Sequence, residues 1–242
     1  GGSASTDGGA GMLSALGARA LDSAGVPVPE GGAGLAEVAS LDLDGLRLGG
    51  ATLVVACDVD NPLTGPHGAA AVYAPQKGAR PEHVEELDRG LSRWADVVAS
   101  ATGRDLRQAP GAGAAGGVGF AALSVLGAEM RSGAQLVLDL VGLDAALAGV
   151  DLVVTGEGSL DEQTLRGKAP AVVATRAARQ GVPVVVVCGR TTLSETRARQ
   201  AGFARVHALE ELEADLERCI VDAPALLHRA GAAALAAWRR PT

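Results

Sequence analysis

The segment Asp151 to Gly189, DLVVTGEGSLDEQTLRGKAPAVVATRAARQGVPVVVVCG, constrains the fold most. Leu152 to Val154 is a short apolar run. Val184 to Val187 is an unbroken run of valines, too continuous for a strand with one wet face. Between the runs, Pro170 suits a first helical turn, and Gly181-Val182-Pro183 stops the helix. The spacing predicts one βαβ unit with a parallel sheet behind it. The polar connection between the first strand and the helix holds Glu157, Asp161, Gln163, Thr164, Arg166 and Lys168. Loops at the carboxyl ends of strands are where ligands sit in open α/β sheets, and an anion there meets helix N–H groups and a lysine. An ordinary solvated loop is the competing reading.

The chain has 242 residues, enough for one large or two small domains with a proper core. Only 2% of residues are aromatic, so alanine, valine and leucine must do the packing. Lysine occurs only at Lys77 and Lys168, in a chain otherwise rich in arginine, which makes both conspicuous. The net charge of −7 argues against nucleic acid and anionic membrane as partners. Cys57, Cys188 and Cys219 form no CxxC, and the four histidines show no metal spacing. Cys57 and Cys188 each follow an apolar run, so buried reduced thiols and a cytoplasmic location are expected. No secretory-signal pattern is found within these 242 residues. The uncharged run Gln108 to Ala128 is long enough to span a bilayer, but six glycines and a proline exclude that reading.

Read in order, Gly1 to Gly11 is a glycine-rich loop containing Asp7, feeding a helix that starts at Met12 and runs to about Gly25. Its amides could cradle an anion, but it is neither a Walker loop nor GxGxxG. Alternation of Leu41, Leu43, Leu46 and Leu48 gives a weak strand signal. Thr52 to Ala56 reads as a buried strand that empties into Cys57-Asp58-Val59-Asp60-Asn61-Pro62-Leu63-Thr64-Gly65-Pro66. Asp58 and Asp60 stand two apart, so in extended backbone both point to one side. Two carboxylates with an Asn carbonyl suit Mg²⁺ held together with phosphates; one carboxylate could instead accept a hydroxyl proton. Turn chemistry alone would explain Asn-Pro and Thr-Gly-Pro, though not both aspartates. Pro81 to Ser100 is an amphipathic helix with Val84, Leu87, Leu91, Trp94 and Val98 on one face. After Gly189, helix and strand signals continue to alternate as α/β. A domain boundary is expected near Gly149, giving 1–149 and 150–242.

Three segments together, GGSASTDGGAGM, ACDVDNPLTGPHGAAAVYAPQKGA and TGEGSLDEQTLRGKAP, resemble the type I glycerate kinase family. The likeness covers essentially the whole chain in order. It implies ATP-dependent phosphorylation of D-glycerate, with 2-phosphoglycerate favoured. It also implies two α/β domains, one flavodoxin-like with a parallel sheet and one particular to these kinases, with the active site in the cleft between them. The implied catalytic residues are Asp58, Asp60 and Lys168. Asp7, Gly8, Gly9, Gly11, Asn61, Thr64, Gly65, Gly156, Glu157, Gly158 and Thr164 are the implied substrate and phosphate contacts. Asp58, Asp60, Glu157 and Asp161 are the implied ligands of Mg²⁺. Ser5-Thr6 and His67 depart from the usual Thr-Asn and Gln of the family.

The family's Asp-Ser-Phe-Lys-Gly and Ala-Asp-Gly-Gly-Glu motifs would precede Gly1, so the resemblance implies a chain lacking its N-terminal segment. An open sheet edge would then self-associate or pair with that missing part. Two rival readings are an inactive binding or scaffold protein on the same fold and a dinucleotide oxidoreductase. Phosphorylation of glycerate separates the first; the second lacks GxGxxG after a strand.

Overall fold

A computed structural model describes residues 2–238. The chain forms two compact units, residues 1–133 and 134–242.

The first unit is built on one long helix. It comprises α1 (Ala10–Ala15), β1 (Arg19–Leu21), β2 (Ser40–Asp42), β3 (Val54–Ala56), α2 (Ala69–Tyr73), α3 (Pro81–Thr102), α4 (Ala114–Ser124) and β4 (Glu129–Arg131). The apolar periodicity of α3 seats Leu91, Trp94, Ala95 and Val98 in the core, with Leu13, Leu35, Leu63 and Phe120 around them. Pro81 opens α3 and left-handed Gly103 closes it.

The expected long helix after Met12 stops at Ala15, because Arg19–Leu21 pairs antiparallel with Ser40–Asp42. The expected buried strand at 52–56 is shorter and half-exposed. β3 pairs in parallel with β4 as a two-stranded sheet, so its faces are not both covered. At the start of α4, Ala115 (φ 52, ψ 40), Gly116 (φ 71, ψ 25) and Gly117 (φ 97, ψ 4) form a left-handed turn. Among the described residues, Ala115 is the one non-glycine with positive φ.

The second unit contains α5 (Gly133–Leu140), α6 (Leu143–Ala146), β5 (Val153–Leu160), α7 (Ala169–Arg179), β6 (Val184–Thr191), α8 (Glu195–Gln200), β7 (Phe203–Ala208), α9 (Leu216–Val221) and α10 (Ala223–Trp238). Its sheet is parallel, ordered β5-β6-β7. Val184 and Val186 face one core with Leu160, Ala174 and Phe203; Val187 faces a second with Leu209, Cys219 and Leu226. The valine run is thus buried on both faces, as its continuity demands.

The units divide earlier than Gly149. Leu147 joins the core of Val184 and Val186, and Arg176 on α7 pairs with Asp139 and Asp144. These contacts draw 134–149 into the second unit.

The β5 strand runs farther than the apolar run suggests, through GEGSL to Leu160. Glu157 pairs in register with Cys188, so it belongs to the sheet and not to the loop after it. Gly156 permits this: a Cβ there would lie 2.5 Å from the Val187 carbonyl oxygen. No described helix is long and apolar enough to cross a membrane.

All three cysteines are free. Cys188 and Cys219 are buried, whereas Cys57 is partly exposed, because the loop after β3 leaves the sheet at once. Burial pushes the Cys188 thiol up to about 12, helped by Glu210, Glu157 and Glu211. Alkylation of the native protein at mildly alkaline pH is therefore expected to modify Cys57 first. Cys188 and Cys219 should react only after unfolding, a difference that peptide mass spectrometry reads directly.

Candidate functional site

In the first unit, a cavity of about 640 Å³ opens at the carboxyl end of β3. Asp58, Tyr73, Lys77, Ser3 and Ala115 are among the residues lining it. The Asp58 carboxylate is fixed by the Gly133 amide at 2.8 Å and by the Ser132 hydroxyl at 3.2 Å, both onto Oδ1. Both donors follow β4, so the parallel β3–β4 pair positions the acid.

Of the expected site residues, Asp58 alone lines this cavity. Asp60 is exposed nearby, close enough for its charge to raise the Tyr73 hydroxyl pKa, after burial and Cys57. Residues 57–60 lie beyond the end of the strand, so strand pairing does not fix the side to which the two aspartates point.

Asn61 is a brace. Its side-chain oxygen accepts from Tyr73 Oη at 2.5 Å, and its amide donates to the His67 carbonyl at 2.9 Å. Thr64 is buried and within 3.5 Å of Gln108 Nε2. The Gly65 amide donates to Asp88 on α3 at 3.0 Å. Gly65 thus ties the loop to α3, and Thr64 ties it to the turn that holds Gln108.

The N-terminal glycine loop already carries its own anion. Buried Asp7 accepts from Gly9 N at 3.1 Å and from Gly11 N at 3.0 Å, and Gly8 N donates to the Gly116 carbonyl at 3.0 Å. The amides expected to hold a ligand anion are thus occupied by Asp7 and Gly116, and Asp7 also suits the positive end of α1.

In the second unit, the loop after β5 is a compact knot. Asp161 Oδ1 accepts from Gln163 N at 2.9 Å and Thr164 N at 3.0 Å. These amide bonds, with the Lys168 charge and the Thr164 hydroxyl, hold the Asp161 carboxyl below the usual carboxylate range. Thr164 is fully buried and serves this knot, while exposed Lys168 stands at the amino end of α7. Glu157 lies apart on β5, with one buried carboxylate oxygen that has no hydrogen-bond partner. Gly156 and Gly158 flank it on the strand. Among the described residues, no group of three or more His, Cys, Asp or Glu side chains is gathered to hold a metal ion.

The residue missed by motif reading is Lys77. Its ammonium donates to Ser3 Oγ at 2.9 Å and to the Ser5 carbonyl at 2.6 Å, inside the cavity that Asp58 lines. Its rarity in an arginine-rich chain was the available signal. A larger open groove of about 1400 Å³ runs beside α3 and shares Lys77, but none of the expected site residues lines it.

The architecture and these loops define an α/β protein that presents polar groups at the carboxyl ends of parallel strands. The chain belongs to the glycerate kinase family, whose sequence profile matches residues 1–239. It is 46% identical over 205 residues to a Bacillus subtilis glycerate kinase, covering 84% of this chain and 54% of that protein. It is 44% identical over 211 residues to the Escherichia coli K12 glycerate 2-kinase, covering 86% and 55%. A crystal structure described as a glycerate kinase 2 from Salmonella typhimurium LT2 matches with a TM-score of 0.74 at 44% identity, over 90% of this chain and 58% of that one. The chain thus spans little more than half the length of these relatives.

Proposed function

We propose that the protein is an ATP-dependent glycerate kinase that transfers the γ-phosphoryl group to D-glycerate, with 2-phosphoglycerate as the favoured product. The observation that carries this reading is the buttressed Asp58 carboxylate, facing the same cavity as the Lys77 ammonium. One group can accept the hydroxyl proton and the other can neutralise an anion, the two demands of phosphorylating a hydroxy acid. The 44% identity to a glycerate 2-kinase supports the choice of acid and position.

Asp58 is assigned as the proton acceptor, its carboxylate held still by Gly133 and Ser132. Asn61 keeps Tyr73 in place on the cavity wall. In the second unit, Lys168 at the amino end of α7 is assigned to phosphate charge, with Asp161 shaping its loop. Asp58, Asp60, Glu157 and Asp161 are the carboxylates available to Mg²⁺. Among the described residues none of them belongs to a group of three or more such side chains, which fits an ion that arrives with nucleotide phosphates and takes one or two protein carboxylates. Such an ion would neutralise phosphate charge. The free cysteines fit a reducing cytoplasm. Self-association through an edge of the three-stranded sheet remains part of the proposal.

The test is incubation of the purified chain with ATP, Mg²⁺ and D-glycerate, followed by ³¹P NMR of the product. Formation of 2-phosphoglycerate is expected. ATP turnover without a phosphoglycerate, or no turnover at all, would overturn the assignment for this chain.

A further inference from the structure

We propose that Lys77 binds the carboxylate of the hydroxy-acid substrate in the cavity that Asp58 lines. This rests on the kinase reading for the identity of the acid, but not for the existence of an anion site.

Lys77 ends a short turn (Pro75–Lys77) after α2, and its half-buried side chain reaches back to the N-terminal segment. The two oxygens it meets, Ser3 Oγ and the Ser5 carbonyl, are neutral. Among the described residues no carboxylate lies within ion-pair distance of it. An ammonium has three N–H donors, so two are used and one is left for a ligand. A partly buried cation without a counter-ion loses some of its hydration, and an incoming anion offsets that loss. Burial accordingly lowers the Lys77 pKa, with Asp7 opposing from a distance.

The surroundings leave room for such a ligand. The cavity holds about 640 Å³, and the left-handed turn at 115–117 closes it beside the ammonium: a Cβ on Gly116 would lie 2.1 Å from the Ser5 carbonyl oxygen and 3.0 Å from Lys77 Nζ, so only bare backbone fits on that side. Ala115 adopts a costly positive φ on the cavity wall, a kind of strain that gathers at ligand sites. A small hydroxy acid carries a carboxylate and a hydroxyl, and this cavity offers a cation for the first and a fixed carboxylate for the second. An ATP phosphate would present similar anionic oxygens, so the test must separate the two.

D-glycerate, glycerol and ATP are titrated calorimetrically into the full chain, its Lys77→Met and Lys77→Arg variants, and an Arg104→Met control. Lys77→Met is expected to weaken D-glycerate binding about 10- to 100-fold, the worth of one charge-assisted hydrogen bond. It should leave ATP binding unchanged, and Lys77→Arg should retain part of the glycerate affinity. Glycerol, which has no carboxylate, should bind measurably to none of them. Arg104→Met removes an exposed cation that lines neither cavity, so it should bind glycerate normally.

The inference is overturned if the wild-type chain binds no carboxylate, or if Lys77→Met lowers thermal stability without changing glycerate affinity. Loss of ATP binding with glycerate binding intact would also overturn it, assigning the cation to phosphate. Glycerate binding that needs Lys77, with no phosphoglycerate formed from ATP, would sink the kinase reading and leave this one standing.

Discussion

Replacing Trp94 with alanine is expected to destabilise the first unit by about 3–5 kcal/mol through the cavity alone. Trp94 is fully buried, among Leu13, Leu91 and Phe120. Its indole N–H donates to the Gly8 carbonyl at 3.0 Å, so truncation also orphans that oxygen, adding about 1–3 kcal/mol. Domains are stable by only about 5–15 kcal/mol, so the unit would approach its unfolding limit at ordinary temperature. Gly8 lies in the N-terminal loop that also hydrogen-bonds Gly116 beside the cavity, so the site should loosen as the helix core does. Denaturant unfolding monitored by circular dichroism measures the effect. Trp94→Phe keeps most of the apolar volume and should cost clearly less. An alanine variant within about 1 kcal/mol of the parent would mean that the Trp94 contacts do not anchor this core.

Asp58→Asn is expected to lower the rate of glycerate phosphorylation about 10²- to 10⁴-fold, the usual worth of a positioned general base. The amide is nearly isosteric, so the fold should survive and the loss should fall in kcat. Asp60→Asn should have a much smaller effect, because Asp60 does not line the cavity and, among the described residues, has no buttress comparable to Gly133 and Ser132. Steady-state kinetics on the two variants compares the aspartates directly. Equal losses, or a larger loss at Asp60, would move the proton-accepting role to Asp60.

Much of the second unit could be read from the chain. The valine run at 184–187, the proline at 170 and the Gly-Val-Pro stop specify a parallel βαβ unit because burial, helix entry and helix exit are local demands. The placement of Glu157 was not legible. Its GEGSL context looks like a loop until β6 supplies a backbone ladder and Gly156 allows close approach. In the first unit, α3 was plain from its apolar spacing, whereas β1, β3 and the end of α1 depend on partners distant in sequence. The glycine loop misled for a similar reason: its amides look free until Asp7 and Gly116 are folded onto them.

The sequence by itself settled family, fold class and the stretches that carry polar chemistry, because these follow from short-range pattern and residue type. Tertiary structure decided which members of those stretches meet. It gave Asp58 a cavity and a buttress, turned Thr64 and Thr164 inward as braces, and set Lys77 beside Ser3 across more than seventy residues of chain. Long-range hydrogen bonding and burial make those choices, and neither is encoded in spacing along a strand or helix.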